Sequence, residues 1–137
     1  MKIALDPFAY PPRREHETDA GIDLMTPIGF VLEPHTAVTI NTGVHVEIPK
    51  GCAGLLVSKS GLNVKFNMTS TGLIDEGYSG SIVVKLYNHG NTEKEFSKGS
   101  KISQLVIVHV IIEPLEFVDE IIGGDRGSNG FGSTGEI

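Results

Sequence analysis

Short runs of Val and Ile, each closed within a few residues by a turn signal, constrain this chain more than anything else in it. Residues 28–32, 37–40, 44–48, 53–57, 81–87 and 102–112 are such runs. Between them stand Glu33-Pro34, Asn41-Thr42-Gly43, Pro49-Lys50-Gly51, Asn88-His89-Gly90 and Lys98-Gly99. β-Branched side chains are stiff in a helix but fit a pleated strand. Gly, Pro and Asn supply the backbone angles that reverse a chain. Helical periodicity is almost absent, and one short helical turn is expected near residues 60–65. The pattern predicts an all-β sandwich or barrel. The run 104–112, QLVIVHVII, predicts a strand with both faces covered, which hints at a neighbouring subunit.

At 137 residues the chain fits one domain. Its net charge is −6, and its 11 Lys and Arg are scattered, with only Arg13 and Arg14 adjacent. A protein that grips long nucleic acid concentrates basic residues on one face, so that role is not expected. A small phosphorylated ligand stays open, because a few local donors and a metal can offset a mildly acidic protein. The single cysteine, Cys52, rules out an intramolecular disulfide and a thiolate zinc site. The first residues lack a signal-peptide apolar region, and no run approaches the about 18 apolar residues of a membrane span. A cytoplasmic, reduced location is expected, with no membrane contact.

Four places could carry chemistry. Gly72–Gly80 reads GLIDEGYSG, where Asp75 precedes Gly77 and Tyr78 and a clear strand follows. It reads as a carboxylate held in or beside a hairpin, or as a plain surface turn. Asp19 and Asp23 could face a hydrated Mg²⁺ from one side of a strand, or again mark a turn. Ser58-Lys59-Ser60-Gly61 offers a cation and hydroxyls to phosphate but lacks P-loop spacing. The tail from Gly123 holds six glycines (Gly123, Gly124, Gly127, Gly130, Gly132, Gly135), one arginine and one aromatic ring. It is a flexible terminus by composition, yet Arg126, Phe131 and the Gly-Ser-Thr-Gly end could wrap a nucleoside polyphosphate. The five histidines show no metal-ligand spacing and read as structural or solvated.

Taken in order, AGIDL (20–24), SKSGL (58–62), GLIDEGYSG (72–80), GSKISQLVI (99–107) and RGSNGFGSTG (126–135) resemble the five-motif pattern of the dUTPase family. The resemblance runs from Asp19 to Gly135. It implies a jelly-roll-like fold, with residues 1–122 as the β-sheet core and residues 123–137 as an arm that closes over the site. It also implies hydrolysis of dUTP to dUMP and pyrophosphate, which limits uracil incorporation into DNA and supplies dUMP for thymidylate. A homotrimer with sites shared between subunits and a Mg²⁺ ion follow from the same source.

The roles it implies fall residue by residue. Asp75 activates the water that attacks the α-phosphorus. Tyr78 packs under the deoxyribose, and the backbone around Gly72 and Ile74 reads uracil. Lys59, Ser60, Gly61 and Gln104 meet the triphosphate. Phe131 stacks on uracil, while Arg126, Gly132, Ser133 and Thr134 hold the γ-phosphate. Asp23 touches the metal through water only.

The chain departs from the family pattern at Lys59 and Lys101, where arginine is usual, at Ser81, where Glu is common, and at Ile22, where an aromatic is often found. Lysine keeps the charge but loses the forked contact, so altered affinity is expected. Two other readings compete: a dCTP deaminase of the same fold, and a non-catalytic trimer whose nucleotide-dependent arm controls a regulatory protein partner. Release of pyrophosphate separates the enzyme from both.

Overall fold

The computed structural model describes residues 1–132, 134 and 135. Among them are eleven strands and one helix. In chain order they are β1 (Ile3–Leu5), β2 (Gly21–Met25), β3 (Phe30–Leu32), β4 (Ala37–Asn41), β5 (Val44–Val46), β6 (Cys52–Val57), α1 (Ser60–Phe66), β7 (Met68–Ser70), β8 (Gly72–Ile74), β9 (Val83–Asn88), β10 (Lys94–Phe96) and β11 (Lys101–His109). Among the described residues no helix is long and apolar enough to cross a membrane.

All strand pairs are antiparallel. One sheet runs β2-β11-β6-β8 and a second runs β4-β9-β7, with the small pairs β1-β5 and β3-β10 beside them. Inner faces meet in one core: Leu24, Leu56, Ile102 and Leu105 from the first sheet, Ile40, Val84, Leu86 and Met68 from the second. The alternation is clear in β9, where Val84, Leu86 and Asn88 point in while Val83 and Lys85 point out. Full burial of each such aliphatic side chain contributes about 1.5–3 kcal/mol. Asn88 is tolerated inside because its amide is satisfied: it donates to the carbonyls of Leu32 (3.1 Å) and Thr92 (2.9 Å) and accepts from Gly90 N–H (2.9 Å). The result is a jelly-roll-like all-β fold.

Several boundaries differ from the sequence pattern. The run 28–32 becomes a strand only at Phe30, because the Thr26 hydroxyl bonds both the carbonyl (2.7 Å) and the N–H (3.2 Å) of Ile28 and bends the chain. The helical turn extends to Phe66, where Asn67 in the left-handed region (φ 53°) closes it with an N–H bond to Asn63 O. Strands β2 and β8 were hidden by their Gly and Asp residues. The long run 102–112 stops as a strand at His109. β11 has a partner on each side, but Val106, Ile107 and Val108 are only half-buried. Beyond it, Ile111, Ile112, Leu115, Phe117, Ile121 and Ile122 are each more than four-fifths exposed.

Candidate active site

Strand β8 is short and lies close on β6, because Gly72 presents no side chain there: a Cβ would stand 3.0 Å from Leu56 Cδ1. Ile74 buries its side chain, and the chain then turns at once. Tyr78 N–H bonds Asp75 O at 3.2 Å, and Gly77 takes φ 87°, which a glycine adopts without strain. The turn is fixed from outside as well. Glu76 accepts from Gly51 N–H at 2.6 Å, and the Tyr78 hydroxyl donates to Ser81 O at 2.9 Å. The Tyr78 ring lies over Gly80, where a Cβ would meet its hydroxyl oxygen at 2.4 Å. Asp75 and Tyr78 thus share one cleft of about 230 Å³ with Leu56, Gly72, Ile74 and Ile82. Asp75 is exposed, so its carboxylate is open to water and ligand.

The segment is not a simple hairpin between paired strands. β8 belongs to the four-stranded sheet and β9 to the three-stranded one. Asp75 therefore sits where the chain crosses between sheets.

The remaining core motifs collect at another end of the four-stranded sheet. Asp23 on β2 is level with Gln104 on β11, which is level with Val57 on β6. Asp23 is 3% exposed, and its two oxygens are taken by Lys59 Nζ and by Lys101 Nζ (2.9 Å). Lys101 also reaches Glu15 at 2.8 Å. Burial alone would push the Asp23 carboxyl up, but hydrogen bonds and charge from both lysines hold it below its ordinary value. Gln104 donates to Ser58 O at 3.0 Å, with its amide lying against Gly21. Ser60 and Gly61 open α1 beside this group and are exposed.

Within one chain the structure does not join the two groups. By strand pairing Ile74, the residue before Asp75, is level with Gly54, three residues along β6 from Val57, a separation of about 10 Å along the strand. The tail is apart from both. Arg126 donates to Gly130 O (3.2 Å), Phe131 is fully exposed, and the N–H groups of Gly127, Asn129 and Gly135 bond the carbonyls of Gly124, Arg126 and Gly132. Gly132 and Thr134 are exposed with it; Ser133 lies outside the described residues.

Sequence reasoning missed the frame that holds the turn. Asn41 Oδ1 accepts from Gly43 N–H (3.0 Å) and from the Ser81 hydroxyl, and Thr42 bonds Ile82 O through both its N–H (3.0 Å) and its hydroxyl (2.7 Å). The only signal was the Asn-Thr-Gly turn itself, which does not say what it would grip.

As to a metal, no group of three or more His, Cys, Asp or Glu could hold an ion among the described residues. Asp23, 3% exposed and with both oxygens bonded by lysine ammonium groups, offers no free oxygen to a metal or to its waters in this structure. Any Mg²⁺ would therefore be held largely by the phosphates of a bound ligand, as suits an ion that keeps several waters.

A protein-family model described as dUTPase matches residues 8–135. The deoxyuridine 5'-triphosphate nucleotidohydrolase of Clostridium acetobutylicum is 39% identical over 134 residues, 96% of this chain and 92% of that protein. The one from Mus musculus is 36% identical over 135 residues, 98% and 83% of the respective chains. Among solved structures, the dUTPase of Staphylococcus bacteriophage 80alpha with dUPNHPP matches with a TM-score of 0.85 at 34% identity, covering 98% of this chain and 97% of that one. A mutant dUTPase from phage phi11 of S. aureus, described for its coordination of a structural Mg(II) ion, matches with a TM-score of 0.78 at 31% identity, covering 87% and 96%.

Proposed function

The chain belongs to the dUTPase family, and we infer that its reaction, hydrolysis of dUTP to dUMP and pyrophosphate, takes place at the turn carrying Asp75 and Tyr78. The observation that carries this reading is the shared cleft: a solvent-open carboxylate beside an aromatic ring that is fixed at both ends of its turn. Asp75 takes the proton from water as that water attacks the α-phosphorus in line with the leaving pyrophosphate. The Tyr78 ring fills the space where a 2′-hydroxyl would stand, which selects deoxyribose. Backbone groups of the turn, around Gly72 and Ile74, read uracil, and a polar group left without its partner rejects other bases.

Ser60, Gly61, Gln104 and Lys59 meet the triphosphate, and Mg²⁺ bound with the nucleotide neutralises charge on the phosphate oxygens. Arg126, Phe131, Gly132, Ser133 and Thr134 close over the nucleotide from the arm. The distance along β6 between Asp75 and the Gln104 group supports a site built from more than one chain. The exposed apolar strip from Ile111 to Ile122 supports a homotrimer as well, since a lone chain leaves it in water. A soluble location in the cytoplasm goes with this reading.

The test is pyrophosphate release with Mg²⁺ from dUTP, dTTP, dCTP and UTP, run beside Asp75→Asn. Release from dUTP alone is expected, lowered by about a thousandfold in the variant. Bound dUTP without release would overturn the reading, and ammonia from dCTP would replace it with a deaminase. Light scattering should give the mass of three chains; the mass of one contradicts the shared site.

A further inference from the structure

His45 lies on β5, outside every motif, yet its ring reaches the nucleoside turn. Nδ1 is 2.9 Å from the carbonyl oxygen of Ser79, and Nε2 is 3.1 Å from Asp6 Oδ1. Ser79 follows Tyr78 directly, so this contact fixes the chain one residue past the ring. β1 and β5 pair Ala4 with His45, which brings Asp6 to the ring. The side chains of His45 and Asp6 are 29% and 37% exposed, so water screens the contact only in part.

The chemistry of the two partners decides the state of the ring. A backbone carbonyl and a carboxylate are both acceptors, and neither has a proton to give. Satisfying both requires an N–H on each ring nitrogen, which is the imidazolium. A neutral ring has one N–H, so it must face one of the two acceptors with a lone pair. The Ser79 hydrogen bond, outweighing desolvation and joined by the bond and charge of Asp6, holds the ring above its ordinary value of about 6.5.

The groove that His45 lines also carries Lys2, Glu47 and Tyr78. Lys2 and Glu47 pair with each other at 3.3 Å at exposed positions. Glu76 of the turn is engaged by Gly51, and Asp75 lines the neighbouring cleft and not this groove. Asp6 is thus the charge that acts on the ring.

We propose that His45 is a positioning residue for substrate: its doubly protonated ring clasps Ser79 to Asp6, and opening that clasp weakens dUTP binding without slowing the chemical step. The proposal rests on the reading that this turn receives the deoxyuridine. It predicts a dependence of KM on a proton that no catalytic group supplies.

The experiment measures KM and kcat for dUTP from about pH 6 to about pH 9, across the histidine range, for wild type, His45→Ala and Asp6→Asn. Ionisation of the nucleotide and its Mg²⁺ affects all three proteins alike, so the differences carry the result. Wild type should show KM rising with pH as the clasp opens. His45→Ala should start with KM raised about tenfold, the loss of one charged hydrogen bond, and lack that rise, with kcat close to wild type. Asp6→Asn should keep a low KM at high pH, because a carboxamide can donate to the neutral ring nitrogen. It also keeps the test alive if His45→Ala folds poorly. A His45→Ala KM profile that overlays wild type, or an Asp6→Asn profile that keeps the wild-type step, overturns the clasp. Absence of dUTP turnover by the wild-type protein overturns instead the reading beneath it.

Discussion

The amide of Gln104 occupies the space that a side chain at Gly21 would need: a Cβ there would stand 2.0 Å from Gln104 Oε1 and 2.8 Å from its Cδ. The two residues lie on paired strands, and the amide is held in place by its bond to Ser58 O. Gly21→Ala should therefore move the end of a flexible side chain and leave the backbone intact. We expect little change in Tm and a KM for dUTP raised about tenfold, the loss of one hydrogen bond to a charged phosphate. Steady-state kinetics beside a thermal melt checks both halves, and a large fall in Tm would count against the local explanation.

Gly80 supports the Tyr78 ring in a similar way. A Cβ would lie 2.4 Å from the hydroxyl oxygen and 2.5 Å from Cζ. Here the atoms met belong to a rigid ring bonded to Ser81 O, so the ring must shift as a body. Gly80→Ala should open the place kept closed to a 2′-hydroxyl. The ratio of kcat/KM for dUTP over UTP should fall by about tenfold or more, since a displacement near an ångström costs about a hundredfold in well-fitted sites. An unchanged ratio would remove Tyr78 from sugar selection.

Asp23 should reveal itself in acid. Its folded carboxyl is held below the ordinary 3.8, after burial has been outweighed by Lys59 and Lys101. A lowered folded value means stability that is present above about pH 4 and lost as pH falls through the folded value. Asp23→Ala removes the partner of two lysines and should cost about 3 kcal/mol near neutrality. The figure sits at the low end because the lysines stay 26% and 31% exposed. Chemical denaturation at several pH values should show the gap to wild type closing as pH drops below 4.

A protein ending at Ile122 separates folding from closure. The bonds of the described tail residues are within the tail, so Tm should stay within a degree or two while kcat/KM falls by about a hundredfold, the scale of closing and positioning contacts. A collapse of Tm would show that the arm is part of the body.

The fold class was legible because turns and β-branched runs alternate so regularly. Strands β2 and β8 were not, since Gly21, Asp23 and Gly72 are poor strand formers whose place is set by contacts across the sheet. Asp75 and Tyr78 were legible as a motif, and their cleft was not, because one wall is Leu56 of β6, which only strand pairing brings to the turn. The pairing of Asp23 with Lys59 and Lys101 was equally hidden: three residues in three motifs meet only through strand register. His45 gave no signal at all, for its partners Asp6 and Ser79 are 39 and 34 positions away.

The crossing of the chain between sheets at Asp75 has a mechanical side. Leu56 and Ile74 wall the cleft from one sheet, Ile82 and Val83 from the approach to the other, and Leu56, Ile74 and Ile82 belong to the same packed core. The width of the cleft is therefore the spacing of two layers, set by the volume of what lies between them. Close-packed interiors pass such changes on instead of absorbing them. A methyl group added or removed in the core acts as a shim, so selection can retune nucleotide fit through buried residues that no nucleotide ever touches.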